Sequence, residues 1–140
     1  MDIDYIIVFY MRGENVSFVF CNPNPDKIMV GDCVIRAISI VLEQDWETSF
    51  IGVALVGFEK HDMPASNDVW REYLERKRFK RYALPNTCPA CYTVKDFCKD
   101  NPKGRYILGT GTHAVSVVNG DYYDIWDSGD EVPLYFFHRS

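Results

Sequence analysis

Residues 4–11 (DYIIVFYM) and 16–20 (VSFVF) are runs of β-branched and aromatic side chains, and the RGEN break between them predicts an N-terminal hairpin. The stretch 21–27 (CNPNPDK), with two prolines and two asparagines, predicts a loop. The period then changes. VIRAISIVLEQ is apolar apart from Arg36, Ser39 and Glu43, which fall at spacings of three and four. That predicts a mostly buried helix over about 33–44, with Asp32 as its N-cap. Asp45 with Thr48 opens a second helix on WETSFIGVALVGFEK, ended by Met63-Pro64. A third, over about 67–78, puts Val69, Trp70, Tyr73 and Leu74 on one face. After a loop at 85–92 (PNTCPACY), Thr93 and Asp96 form a capping pair for the short helix VKDFCKD.

The C-terminal quarter alternates with the shorter period of strands: RYILG, THAVSVV, DYYDIW and PLYFF. Asn119-Gly120 between the second and third predicts a tight hairpin turn, since both residues tolerate positive φ. Helices followed by a meander of strands make an α+β arrangement.

At 140 residues the chain fits one domain, 1–140. With 47% hydrophobic and 15% aromatic residues it can bury a substantial core, which argues against disorder. The net charge of −5 disfavours general nucleic-acid binding, which draws on excess positive charge. No apolar run reaches the roughly eighteen residues of a membrane helix. The N-terminus carries two acids before its apolar run and no basic region, unlike a signal peptide. Five cysteines, an odd number, fit a reducing, cytoplasmic setting.

The chemistry centres on Cys33, His113 and an acid. A thiolate at the start of a buried helix is favoured by the unpaired amides and the dipole there. His113 stands near the start of a predicted strand, and Asp124 and Asp127 lie on the return strand of the same hairpin. With Asn119 and Gly120 as the turn, His113 lies opposite Trp126, with Asp127 one place beyond. A one-residue bulge would bring Asp127 directly opposite. Asp124 shares the His113 face in the strict register but lies about two residues along. Nucleophile, base and orienting carboxylate in this set are the parts of thiol acyl transfer.

GDCVIRAI resembles the cysteine-bearing start of the central helix in papain-like cysteine peptidases. GTHAVSVVNGDYYDIWDSG resembles their histidine strand and the return strand that follows. The resemblance implies a papain-like fold, a central helix packed on an antiparallel sheet. It makes Cys33 the nucleophile, His113 the base and Asp127, followed by Ser128 and Gly129, the orienter. It implies a cysteine peptidase-like hydrolase or transferase acting on a peptide or isopeptide bond in a peptide or protein substrate, without a cofactor or metal. Where these enzymes carry an oxyanion-hole Gln, this chain has Lys27, with Asn22 and Asn24 as other donors in that loop. Across nearly its whole length the chain also resembles small phage and prophage proteins with GDCVIRA, CPxCYTV and YDxWDSGDE segments. That resemblance implies an alternative, a non-catalytic protein that blocks or sequesters a host protein.

Other groups compete for attention. His61 and His138 are alternative bases, with His61 expected at the surface. Cys88 and Cys91 form a CxxC that, with Cys98, allows zinc, a reversible disulfide or simple packing, the last being the expected role. Residues 71–81 (REYLERKRFKR) interleave basic and acidic side chains, expected as a solvated helix face or else a docking patch. Arg36, one turn after Cys33 on an apolar helix, calls for an internal carboxylate such as Asp32 or one from 124–131, or a substrate carboxylate.

Overall fold

The helix that begins at Cys33 is apolar on nearly every side, and such a helix is stable only when covered. In the computed structural model, which describes residues 16–140, it lies between the sheet and a second helix. The run 4–11, the RGEN turn and the hairpin expected there lie outside the described residues. The described elements are β1 (Phe18–Phe20), α1 (Cys33–Leu42), α2 (Trp46–Lys60), α3 (Asn67–Arg76), β2 (Lys80–Ala83), α4 (Val94–Asp100), β3 (Arg105–Gly109), β4 (Ala114–Val118), β5 (Asp121–Asp124) and β6 (Tyr135–His138). The class is mixed α+β, with four helices and one six-stranded sheet among the described residues.

The strand order is β1-β5-β4-β3-β6-β2. Four of its ladders are antiparallel, but β1 runs parallel to β5, so the sheet is mixed. Strand alternation divides the core between the two faces of the sheet. Ile107, Ala114, Tyr135 and Phe137 pack against α1, α2 and α3. Leu108, Val115, Val117 and Tyr122 pack with Val94, Phe97 and Cys98 of α4. Helices therefore cover both faces of the sheet, α4 on one and α1–α3 on the other.

Local chemistry explains most boundaries. Asp45 accepts from the Thr48 amide at 2.8 Å to start α2. Thr93 and Asp96 cap α4 reciprocally. Ser39 does not seek water: its hydroxyl donates to the Ile35 carbonyl at 2.7 Å and bonds Ser49 at 2.8 Å, tying α1 to α2. Strand β2 is the element the sequence pattern hides. Helix α3 ends at Arg76, Arg78 takes a positive φ of 71°, and Phe79 is buried before Lys80 enters the sheet edge. The basic stretch is thus helix and strand, with Arg76 held by Glu72 at 3.0 Å and Glu59 at 2.7 Å.

Candidate active site

The site is assembled by three elements. Cys33 is the first residue of α1. Asp32 occupies the N-cap position but makes no capping bond; its carboxylate instead binds Arg36 and accepts from the Trp46 indole at 2.9 Å. His113 immediately precedes β4, with its backbone held by Thr110. Asp124 ends β5. The β4–β5 turn is the tight one the sequence predicts: Asn119 and Gly120 take φ of 49° and 79°, and Val118 pairs with Asp121.

That strict register decides which acid meets the imidazole. His113 Nε2 lies 2.7 Å from Asp124 Oδ2. The expected partner, Asp127, lies beyond the strand on an exposed corner. Its carboxylate accepts from the Tyr122 hydroxyl and, at 3.1 Å, from the Gly129 amide. Asp124 therefore takes the place given above to Asp127, because no bulge intervenes to advance the register. The opposite pairing of His113 with Trp126 survives as a ring contact with centroids 4.9 Å apart.

Asp124 is only 3% exposed, and four donors hold it. Oδ2 faces His113 and accepts from Ser128 Oγ at 2.7 Å; Oδ1 accepts from the Ile125 amide at 2.8 Å and Arg36 Nη2 at 3.3 Å. Arg36, itself 4% exposed, bridges Asp124 and Asp32, so its partners are the internal carboxylates. A buried cation between two buried anions keeps the cluster from carrying an unpaired charge. Ser128 and Trp46 were not assigned these roles from the sequence. Ser128 sits four residues after Asp124 in the WDSG corner, which is the one hint available.

The electrostatics follow from these contacts. Burial pushes the Cys33 thiol up, but its interactions with His113, the Ala114 backbone and the Arg36 charge outweigh that and leave it below the ordinary thiol value. Burial alone would depress His113; the hydrogen bonds to Asp124 and Cys33 and their charges push it up to about 9. Asp124 is held below the usual carboxylate range despite its burial, by His113, Ser128 and the Ile125 amide. All three shifts favour one state, thiolate facing imidazolium facing carboxylate. Cys21, in contrast, is pushed up by burial, against the opposing charge of Lys27.

Comparison of the chain with protein-family models, with curated proteins and with solved structures found no match.

The other candidates lie elsewhere or are engaged. His61 is the exposed left-handed residue that ends α2, and His138 stacks on Tyr106 at 4.6 Å in β6. The Lys27 ammonium donates to the Asn22 carbonyl at 2.8 Å, and the Asn22 amide to the Ile28 carbonyl at 3.2 Å. Asn24 accepts from the Asp26 amide at 2.9 Å. These three residues shape the loop that leads to Cys33. Cys88 and Cys91, expected to pack as thiols, are joined in a disulfide, while Cys98 is buried in the α4 core. Cys33 and His113 line one groove of about 410 Å³ together with Val30, Val34, Ala65, Thr112 and Trp126.

Proposed function

We propose that this chain is a cysteine peptidase-like acyl hydrolase or transferase of papain-like fold, with Cys33 as nucleophile, His113 as acid and base, and Asp124 as orienter. The observation that carries the reading is the 2.7 Å bond from His113 to buried Asp124, with Cys33 in the same groove at the head of α1. In the first step the Cys33 thiolate forms a C–S bond to the carbonyl carbon of a peptide or isopeptide, and the carbonyl electron pair moves to oxygen. The Cys33 amide, at the N-terminal end of α1, favours that oxyanion. As the oxyanion collapses, the C–N bond breaks and the His113 imidazolium gives its proton to the departing amine. Neutral His113 then takes a proton from water, or from an acceptor amine, which attacks the thioester and expels the thiolate. Asp124 remains ionised throughout, fixing the imidazole and stabilising its cationic form.

Mass-spectrometric mapping of alkylation between about pH 4 and 9 tests this reading. Cys33 is expected to label rapidly below pH 7, and His113→Ala to abolish that advantage. Labelling no faster than an ordinary thiol, or only in denaturant, rejects it.

A second reading has its own support. Arg76, Lys77, Arg78, Lys80 and Arg139 line a basic groove of about 680 Å³ at the β2 edge, which suits an acidic host protein partner in a non-catalytic blocking role. Cys33→Ala separates the two, ending an enzyme's effect on its target and leaving a blocker's intact.

A further inference from the structure

We propose that the free edge of β2 takes an acidic, extended segment of a partner protein as an additional strand, with its carboxylates in the basic groove beside that edge. The inference rests on the second reading above, in which this groove holds an acidic partner, and it gives the bound segment its form.

Strand β2 stands last in the strand order, and among the described residues only β6 pairs with it. The Leu84 amide donates to the Leu134 carbonyl at 2.8 Å, in the register that sets Lys80 against His138 and Tyr82 against Phe136. Backbone groups alternate in direction along an antiparallel strand. Lys80, Tyr82 and Leu84 therefore turn theirs to β6, while Arg81 and Ala83 turn theirs outward. Those two N–H groups and two carbonyls have no backbone partner among the described residues. All four residues of β2 are exposed, so no layer of side chains closes the edge. An extended main chain is the group that matches such a row of donors and acceptors.

The side chains select the sign of the partner. Lys80 and Tyr82 alternate to one face, where His138 stands opposite Lys80. With Arg78 and Arg139 they line the groove of about 680 Å³, and no Asp or Glu lines it. Arg76, in the same groove, is already met by Glu59 and Glu72. Among the described residues no acid forms an ion pair with Lys77, Arg78, Lys80 or Arg81. Arg81 lies over the Tyr135 ring on the other face, 4.1 Å from its centroid, so the edge is basic on both sides. A second copy pairing edge to edge would set these cations against their own kind, which like charge on an edge strand prevents. An acidic segment meets the same cations with attraction.

The probe is a fluorescein-labelled, end-blocked octapeptide of alternating Glu and Thr, which puts every carboxylate on one face of a strand. It is titrated at low salt by anisotropy, beside its Lys-Thr counterpart and octauridylate. Saturable binding of the Glu-Thr peptide alone is expected, weakened about tenfold or more by Lys80→Glu together with Arg78→Glu. Amide exchange followed by NMR reads the backbone directly. Saturating peptide is expected to slow exchange at Arg81 and Ala83 about tenfold or more, with little change at Lys80 and Tyr82, whose amides already face β6. Ala83→Pro removes an outward N–H at an edge, where proline is tolerated. It is expected to keep the thermal transition and weaken binding about fivefold, the size of one lost backbone hydrogen bond. Binding that leaves Arg81 and Ala83 unprotected and ignores Ala83→Pro overturns strand addition while the acidic-partner reading stands. Failure of the Glu-Thr peptide to bind, or tighter binding of octauridylate, overturns both.

Discussion

Asp124→Asn replaces one carboxylate oxygen with an amide group of the same shape. The wild-type carboxylate accepts from His113 and Ser128 on Oδ2 and from Ile125 and Arg36 on Oδ1. An asparagine has one accepting oxygen, so in either orientation its amino group faces a pair of donors. With that oxygen toward Ile125 and Arg36, the amino group forces His113 Nε2 to accept, which excludes imidazolium. With it toward His113, the bond is kept but the charge is lost, and Arg36 faces a donor. Losing one charge-assisted bond costs about 1.5–3 kcal/mol, or roughly one to two pKa units. The sign is fixed by the contacts. His113, held at about 9 in part by Asp124, moves down, and Cys33, held low in part by His113, moves up. Alkylation of Cys33 near pH 6 is then expected to fall about 10- to 100-fold, with little change at a pH where any thiol is ionised. Asp127→Asn is expected to leave the profile in place. An unchanged acid limb for Asp124→Asn in a protein that keeps its thermal transition, or a larger shift for Asp127→Asn, refutes Asp124 as the orienting acid.

Arg36→Met leaves Asp32 and Asp124 as neighbouring buried carboxylates without their cation, and a loss of about 3–5 kcal/mol is expected from urea unfolding. A loss under about 1 kcal/mol would mean the cluster is far more hydrated than its burial indicates. Gly109→Ala drives a Cβ into the Tyr135 ring on the neighbouring strand β6. Overpacking of this kind costs about 1–3 kcal/mol, visible as a lower thermal midpoint with the pH profile of Cys33 unchanged.

Much of the site was legible because the chain itself carries the ruler. Asn119-Gly120 fixes the hairpin, and once the turn is two residues long every cross-strand partner follows. The choice between Asp124 and Asp127 was also contained in that register. What weighed against Asp124 was an offset of about two residues along the strand, which a side chain at the strand's end can span. Arg36, by its place on an apolar helix, called for a carboxylate, whether internal (Asp32 or one from 124–131) or a substrate's, and it meets Asp32 and Asp124. Asp32 was read as a cap because local propensity favours it there, whereas Arg36 and Trp46 compete for the same oxygens. Strand β2 was invisible for a different reason. Lys80–Ala83 is exposed along its whole length and continues a basic helix, so no alternation marks it; only its ladder with β6 makes it a strand. The direction of β1 was equally out of reach, since residues 18–20 carry no sign of which neighbour they will choose.

Strand β6 follows the other five in sequence, yet it lies inside the sheet, between β3 and β2. A growing polypeptide that has already made Lys80–Ala83 must keep that segment waiting until Tyr135–His138 has been made, because β6 is the neighbour that bonds it. Until then Ile107 and the α1–α3 layer lack Tyr135 and Phe137, two of the side chains that close their side of the core. In the finished sheet β6 is the strand that joins β2 to β3, so a molecule in which β6 came away would present β3 as an open edge able to accept a strand from another molecule.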